Sequence, residues 1–195
     1  MNSPIDDIDI DGQYSRNAAV KYAQKWYNKY NQQYYRYYGG DCANFVSQCL
    51  HAGGIKMTSG WHSYRTKKSL LQILFSPGSG WDYRQRYKWN VTLSWSKAPN
   101  QYNYFKNTSR GYINGSVIKI SKKSDITNVA KKKGVQKGDL LYFVKPGKTA
   151  PHHAAIIVKV ANGKIYYAAH TQSRKCQDLS KSIGKESVLI IRIKS

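Results

Sequence analysis

The hydrophobic pattern of this chain changes its period between the N-terminal and C-terminal thirds. Near the N-terminus, apolar residues recur three and four positions apart, which predicts an amphipathic helix from about residue 15 to 30. A second helix is predicted from Asp41, a favoured N-cap residue, to Gly53-Gly54, where two glycines end it. The same spacing predicts two shorter helices near residues 98–107 and 124–133.

In the C-terminal third, apolar residues form strand-like runs bounded by turn residues. Four strands are predicted, over residues 140–144, 153–160, 164–170 and 188–194. Helices followed by antiparallel strands predict an α+β fold with the N-terminal helices packed on the sheet. No break in composition divides the chain, so we expect one domain over residues 14–195, preceded by an acidic tail over residues 1–13.

The chain is strongly basic. Its 195 residues contain 32 lysines and arginines against 10 acidic residues, a formal net charge of +22. Such a field favours a polyanionic partner, either nucleic acid or the anionic polymers of a bacterial wall. The acidic residues beyond the N-terminal tail form no close pair along the sequence, so two-carboxylate glycoside hydrolysis and carboxylate-held Mg²⁺ do not fit. No apolar run of about 18 residues is present, so no membrane span is expected.

A predicted hairpin brings two histidines together. Asn162-Gly163 lies between two apolar runs and is the preferred dipeptide of a two-residue type I′ turn. If the two strands pair from that turn without an inserted residue, Ala155 lies opposite His170. His153 and His170 would then be diagonal neighbours on one sheet face, with their Cβ atoms about 7 to 8 Å apart. His152 would point to the other face.

A cysteine at the start of the second helix completes a candidate catalytic triad. Cys42 follows Gly39-Gly40, and the free N–H groups and dipole of a helix N-terminus stabilise a thiolate. One imidazole of the His153 and His170 pair could accept the thiol proton while the other polar group orients it. The backbone amide of Cys42 is the candidate oxyanion donor. Cys49, two helical turns further on, is interpreted as a packing residue.

Several blocks of this sequence resemble a known family. The blocks "GGDCANFVSQCLHAGGI", "GDLLYF", "HHAAIIVKV" and "AAHTQSR" resemble the putative amidase domain family, which is grouped with the papain-like cysteine hydrolases of NlpC and CHAP type. The similarity runs from "YSRNAAVKYAQKW" to about residue 180. It implies a papain-like fold in which a helix bearing cysteine packs on an antiparallel sheet bearing histidine. It also implies cleavage of amide bonds in bacterial peptidoglycan.

The resemblance assigns roles to the candidate residues. It implies that Cys42 is the nucleophile, that His153 is the general base, and that His170 is the polar residue that orients the base. Relatives often have an Asp-His pair at the strand start where this chain has His152-His153, so the parity of the predicted hairpin selects His153. Three neighbouring residues are secondary candidates: Asp41, His152 and Gln172.

The first functional hypothesis is therefore a peptidoglycan hydrolase that acts through a thioester acyl-enzyme, as an amidase or endopeptidase, without a metal or cofactor. We expect a monomer in the wall or outside the cell, with release as a phage lysin as another route. Its expected partners are peptidoglycan and anionic wall polymers, and not nucleic acid. A second hypothesis is a papain-like protease or deamidase toxin acting on a protein. A third is a basic nucleic-acid-binding module in which "WDYRQRYKW" and "SWSKAPNQYNYF" supply an aromatic and cationic surface.

Overall fold

The structure is a computed structural model that describes residues 13–75 and 83–195. The predicted acidic tail lies almost entirely outside these residues. The described chain contains six α-helices, all short. They are α1 (Arg16–Trp26), α2 (Cys42–Ala52), α3 (Leu70–Leu74), α4 (Leu93–Ser96), α5 (Ala98–Lys106) and α6 (Asp125–Lys132).

Eight strands form two antiparallel sheets in the described chain. They are β1 (Ser63–Lys67), β2 (Tyr87–Val91), β3 (Ile118–Ile120), β4 (Leu140–Val144), β5 (His153–Ala161), β6 (Lys164–Ala169), β7 (Arg174–Asp178) and β8 (Ser187–Ile191). Strands β1 and β2 form a separate hairpin, and the other six form one sheet in the order β3-β8-β4-β5-β6-β7. The predicted α+β class, with N-terminal helices against an antiparallel sheet, is confirmed. The β1–β2 hairpin and strands β3 and β7 were not predicted, because their sequences are too polar or too short to show a strand period.

Helix α2 is buried along nearly its whole length. Every residue from Asp41 to Leu50 is buried, and the helix packs against α1, α4 and β5. One face of the six-stranded sheet, including Ala154 and Ile156, belongs to the same core as α2. The opposite face, including Ala155, contributes to a second core that contains residues of α6. The cysteine-bearing helix is therefore fixed against one face of the sheet, near the beginning of β5.

The β5–β6 hairpin begins as predicted and then changes register. Asn162 and Gly163 have φ angles of 51° and 71°, as a type I′ turn requires, and Ala161 pairs with Lys164. A β-bulge between Ile157 and Lys159 then shifts the pairing by one residue. The predicted pairing of Ala155 with His170 is therefore wrong. A turn sets the register only as far as the first extra residue inserted in a strand, and the turn sequence does not encode that insertion.

The longest helices among the described residues, α1 and α2, have 11 residues each. A membrane-spanning helix needs about 20 residues. Within residues 13–75 and 83–195, no helix has the length and apolar character needed to cross a bilayer.

A buried ion pair ties α1 to the beginning of β4. The guanidinium of Arg16 contacts the carboxylate of Asp139 at 2.5 Å, and the Asp139 side chain is fully buried. Arg16 also donates to the carbonyl oxygens of Lys137 and Ile193. Burial raises the pKa of Asp139, while the hydrogen bond and charge of Arg16 lower it. The carboxylate therefore depends on Arg16 to remain ionised in this position.

We expect Arg16→Ala to lower the free energy of unfolding by about 3–5 kcal/mol, since it leaves a buried carboxylate without its cation. Urea denaturation measures the loss. The exposed Arg110, which stacks over Tyr104 at 4.3 Å, offers a control, and Arg110→Ala should cost about 1 kcal/mol or less. Equal losses from the two substitutions would contradict a special role for the Arg16–Asp139 pair.

Candidate functional site

Cys42 is the first residue of α2, and a tight turn directly precedes this buried helix. Gly39 has a φ of 77°, a left-handed conformation that glycine adopts without strain. The Cys42 residue is 8% exposed, so its thiol is mostly shielded from water. Burial raises the pKa of the Cys42 thiol, and this effect outweighs the backbone N–H groups of Ala154, Ala43 and Cys42, which lower it. The thiol is therefore neutral at pH 7 in the free protein.

Asp41 occupies the predicted N-cap position, but its side chain does not cap the helix. One carboxylate oxygen accepts hydrogen bonds from the backbone N–H of Tyr37 at 2.9 Å and from the amide of Asn44 at 2.8 Å. The other oxygen accepts from Nδ1 of His170 at 2.7 Å. The residue is only 1% exposed. Asp41 thus fixes the turn before α2 to the end of β6.

His170 connects three elements of the fold. While Nδ1 donates to Asp41, Nε2 donates to the carbonyl oxygen of Trp26 at 2.6 Å. Trp26 is the last residue of α1, where carbonyl groups lack partners within the helix. The imidazole also stacks on Phe45 of α2, with ring centroids 4.2 Å apart. Both ring nitrogens of His170 thus face acceptors, one on the turn before α2 and one at the C-terminal end of α1.

From the sequence, His170 was assigned the role of orienting His153. The structure contradicts that role, because His170 is not placed to contact His153. Both nitrogens of His170 are engaged elsewhere, and its ring lies on the α2 side of the sheet against Phe45. The His153 ring lies beside Phe143, which belongs to the core on the opposite face, with centroids 5.7 Å apart. The bulge in β5 separates the two rings, because one inserted residue reverses the face on which every earlier side chain lies.

His153 nevertheless lies at the same end of the sheet as Cys42, directly before Ala154, whose backbone N–H interacts with the Cys42 thiol. Burial, and to a lesser extent the neighbouring His152, lowers the pKa of His153 to about 4. Among the hydrogen bonds of the described residues, none involves the His153 ring. The imidazole is therefore neutral at pH 7, with a free lone pair to accept a proton.

His152 has a partner of its own. Its Nε2 lies 2.9 Å from a carboxylate oxygen of Glu186, just before β8. The two side chains are 38% and 28% exposed. Sequence inspection did not select Glu186, since the residue stands alone in a basic segment and only the antiparallel pairing of β4 with β8 brings it near.

One cleft of about 560 Å³ contains most of these groups. It is bounded on one side by Gly39, Gly40 and Cys42 and on the others by the ends of the central strands. The remaining lining residues are Phe143, His152, His153, Tyr167, Thr171, Gln172, Arg174, Lys181, Ser182 and Glu186. The predicted residues Cys42, His152, His153 and Gln172 therefore share one cavity, whereas Asp41 and His170 are buried behind it.

The backbone at Cys42 suits the predicted oxyanion donor. The first four N–H groups of an α-helix have no acceptor within the helix, and Cys42 contributes the first of them in α2. The amide that begins the intrahelical ladder is that of Phe45, which donates to the carbonyl of Asp41 at 2.9 Å. The N–H of Cys42 thus has no acceptor within the helix and lies beside its own thiol, with which it interacts in the free protein, so it is placed to stabilise a negative charge that develops there.

Two segments suggested an exposed aromatic surface for nucleic-acid binding, and most of their described aromatic rings are buried or covered. In "SWSKAPNQYNYF", Trp95 and Phe105 are fully buried and Tyr104 is 7% exposed. These rings belong to the core around α2. In "WDYRQRYKW", Trp81 and Asp82 lie outside the described residues, while Tyr87 and Trp89 have the guanidinium of Arg65 stacked over them. Rings that are buried or covered do not offer an open stacking platform.

Comparison with known proteins identifies one family. The family model described as a putative amidase domain matches residues 13–191. Two Bacillus subtilis proteins, both named as uncharacterized, are similar to this chain. YhbB is 29% identical over 153 residues, covering 78% of this chain and 40% of YhbB, and YjcM is 28% identical over 191 residues, covering 92% of this chain and 37% of YjcM. The chain thus spans well under half the length of either relative. No solved structure matches it.

We expect His170→Ala to lower the free energy of unfolding by about 3–5 kcal/mol, because it removes the hydrogen bond to the buried Asp41 carboxylate and leaves a cavity beside Phe45. His51→Ala is a suitable control, since its Nδ1 also bonds a backbone carbonyl, that of Ile55 at 3.0 Å, but without a charged partner. The control should cost about 1 kcal/mol. The double variant Asp41→Asn/His170→Ala should be less destabilised than the sum of the two single variants. Additive losses in urea denaturation would contradict the coupling.

Proposed function

Since the chain belongs to the putative amidase domain family, we propose that it is a cysteine-dependent amidohydrolase that cleaves an amide bond of bacterial peptidoglycan. The observation that carries this proposal is the shared cleft of Cys42 and His153, with the thiol at the first residue of a buried helix. A cysteine-bearing helix against an antiparallel sheet whose strand β5 begins with histidine also supports a papain-like fold.

The first half of the proposed reaction forms a thioester. Sγ of Cys42 attacks the carbonyl carbon of the scissile amide while its proton passes to the neutral imidazole of His153. The carbonyl oxygen becomes an oxyanion, which the backbone N–H of Cys42 stabilises. When the tetrahedral intermediate collapses, the C–N bond breaks, and the leaving nitrogen takes the proton from His153. An amine is released and the acyl group remains on Cys42.

The second half returns the enzyme to its starting state. Water attacks the thioester carbonyl while His153 accepts its proton, and the C–S bond then breaks. Sγ leaves and recovers a proton from His153, so the product is a carboxylic acid. Every proton transfer uses protein side chains or water, so the reaction proposed needs no metal or cofactor.

The protonation states fit this order of events. Burial keeps both Cys42 and His153 uncharged before substrate binds, so the proton moves during attack and not in advance. No hydrogen bond joins the two side chains in the described structure, and catalytic hydrogen bonds of free enzymes often tighten only with substrate. Asp41 and His170 act as positioning residues, because they hold the turn that carries Cys42.

The class of substrate that we propose is based on the net charge of the chain. The formal net charge of +22 favours a polyanionic matrix, and wall polymers with peptide carboxylates supply one. We therefore propose that the protein acts at the wall or outside the cell, where peptidoglycan lies.

Cys42→Ala should abolish hydrolysis of purified peptidoglycan, because the nucleophile is lost while the small buried side chain is nearly preserved. New amine and carboxyl termini in the digest, identified by mass spectrometry, name the bond that is cut. Cys176→Ala is the control, since Cys176 is an exposed free cysteine and should leave activity unchanged. Full activity of Cys42→Ala would refute the mechanism, and an intact wall with the native protein would refute the substrate.

The depressed pKa of His153 predicts an acid-tolerant enzyme. The neutral imidazole is the active form, so kcat/KM should hold as the pH falls below neutrality and decline only as His153 is protonated near its pKa of about 4. Circular dichroism at each pH would confirm that the protein is still folded.

Two histidine variants identify the base. His153→Ala should abolish turnover, whereas His152→Ala should be mild, because His152 is held by Glu186 at the cleft wall. An inactive His152→Ala together with an active His153→Ala would assign the base to the His152–Glu186 pair instead.

A further inference from the structure

We propose that the cleft contains a subsite for a substrate carboxylate, formed by Arg174 and Lys181. This inference rests on the proposed function, because the carboxylate would belong to the peptide whose amide is cleaved. Both cations line the same 560 Å³ cleft as Cys42 and His153. Neither is a residue that the catalytic steps use.

Arg174 and Lys181 are exposed residues whose backbone belongs to ordered elements at the rim of the sheet. Arg174 begins β7 and pairs with Ala169 at the end of β6, while Lys181 ends a short 3₁₀ turn, Leu179–Lys181. The next residue, Ser182, accepts a hydrogen bond from the hydroxyl of Tyr167 on β6 at 2.9 Å. The chain around Lys181 is thus attached to the sheet and not free in solvent.

The turn between β6 and β7 is held in an unusual conformation. Thr171 and Ser173 have φ angles of 77° and 47°, in the left-handed region that residues other than glycine seldom adopt. Between them lies Gln172, whose side-chain oxygen is 3.5 Å from a guanidinium nitrogen of Arg174. Such strain persists only where the surrounding structure imposes it, and here His170 is anchored directly before the turn.

Arg174 and Lys181 bring two cations to a cleft that is lined by one carboxylate, that of Glu186. Among the ion pairs of the described residues, none involves Arg174 or Lys181. The cleft's own acid, Glu186, is paired with His152, and the nearby Asp178 is paired with Lys164 at 3.6 Å. The site therefore offers two cations to an arriving anion, and a guanidinium can bind a carboxylate with two parallel hydrogen bonds.

The occupant is a carboxylate on the peptide portion of the substrate. Because an amidohydrolase must hold a peptide across Cys42, the anionic groups that can reach Arg174 and Lys181 in the same cleft are the terminal or side-chain carboxylates of that peptide. Binding such a group would align the scissile amide with the thiol. The subsite thus predicts a preference for acidic over amidated peptides.

The test uses the full chain carrying Cys42→Ala, so that binding is measured without turnover. The probes are a soluble muropeptide with free stem-peptide carboxyl groups and the same muropeptide with those groups converted to amides. Adding Arg174→Gln should weaken calorimetric binding of the acid form about tenfold or more, a loss typical of a charged hydrogen bond. Lys181→Gln should also weaken it, and neither should affect the amidated form.

Adjacent lysines provide matched controls with the same change in charge. Lys175 follows Arg174 on β7 but lies 5.8 Å from the ring of Tyr27, outside the lining of the cleft, and Lys185 is an exposed residue near Lys181. Lys175→Gln and Lys185→Gln should leave affinity nearly unchanged. Equal losses from the control variants, equal affinity for the two muropeptides, or no binding of either would overturn the subsite. Carboxylate-dependent binding without cleavage by the native protein would support the subsite and refute the proposed function.

Discussion

The contact between Asp41 and His170 is the interaction on which the site depends. It joins residues 129 positions apart and is almost fully buried. The hydrogen bonds of these two residues fix the beginning of α2, the end of α1 and the end of β6 relative to one another. Cys42 directly follows Asp41, and the turn that carries Gln172 directly follows His170, so one buried hydrogen bond positions two segments that line the cleft. Since both side chains are buried, removing either one leaves the other without its hydrogen-bond partner and away from water.

Burial shifts the pKa values of the two reacting groups in the cleft in opposite directions. It raises the pKa of the Cys42 thiol and lowers that of the His153 imidazole, so both groups are neutral at rest. Such a site does not store a thiolate and imidazolium pair, and the proposed attack must move the proton as the bond forms. The helix N–H groups then matter most for the charge that develops on the substrate oxygen.

The distribution of acidic residues explains how so basic a chain forms a defined cleft. Asp139 is paired with Arg16, Asp178 with Lys164, and Glu186 with His152. Some cations also have structural contacts, as Arg36 does where it stacks over Tyr30 at 3.9 Å from the ring centroid. These pairs use only a few of the cations, so the chain keeps a large positive charge, a formal +22.

The sequence by itself determined the α+β class, the buried helix from Cys42 to Ala52, the type I′ turn at Asn162-Gly163 and the candidacy of Cys42, because each follows from local periodicity or turn preference. The tertiary structure alone decided the relation between the two histidines. One inserted residue in β5 reversed the predicted faces, and His170 found partners on α1 and before α2 instead of on its own hairpin. Glu186, Arg174 and Lys181 likewise entered the cleft only through strand pairing and packing, which bring together residues that no local pattern relates.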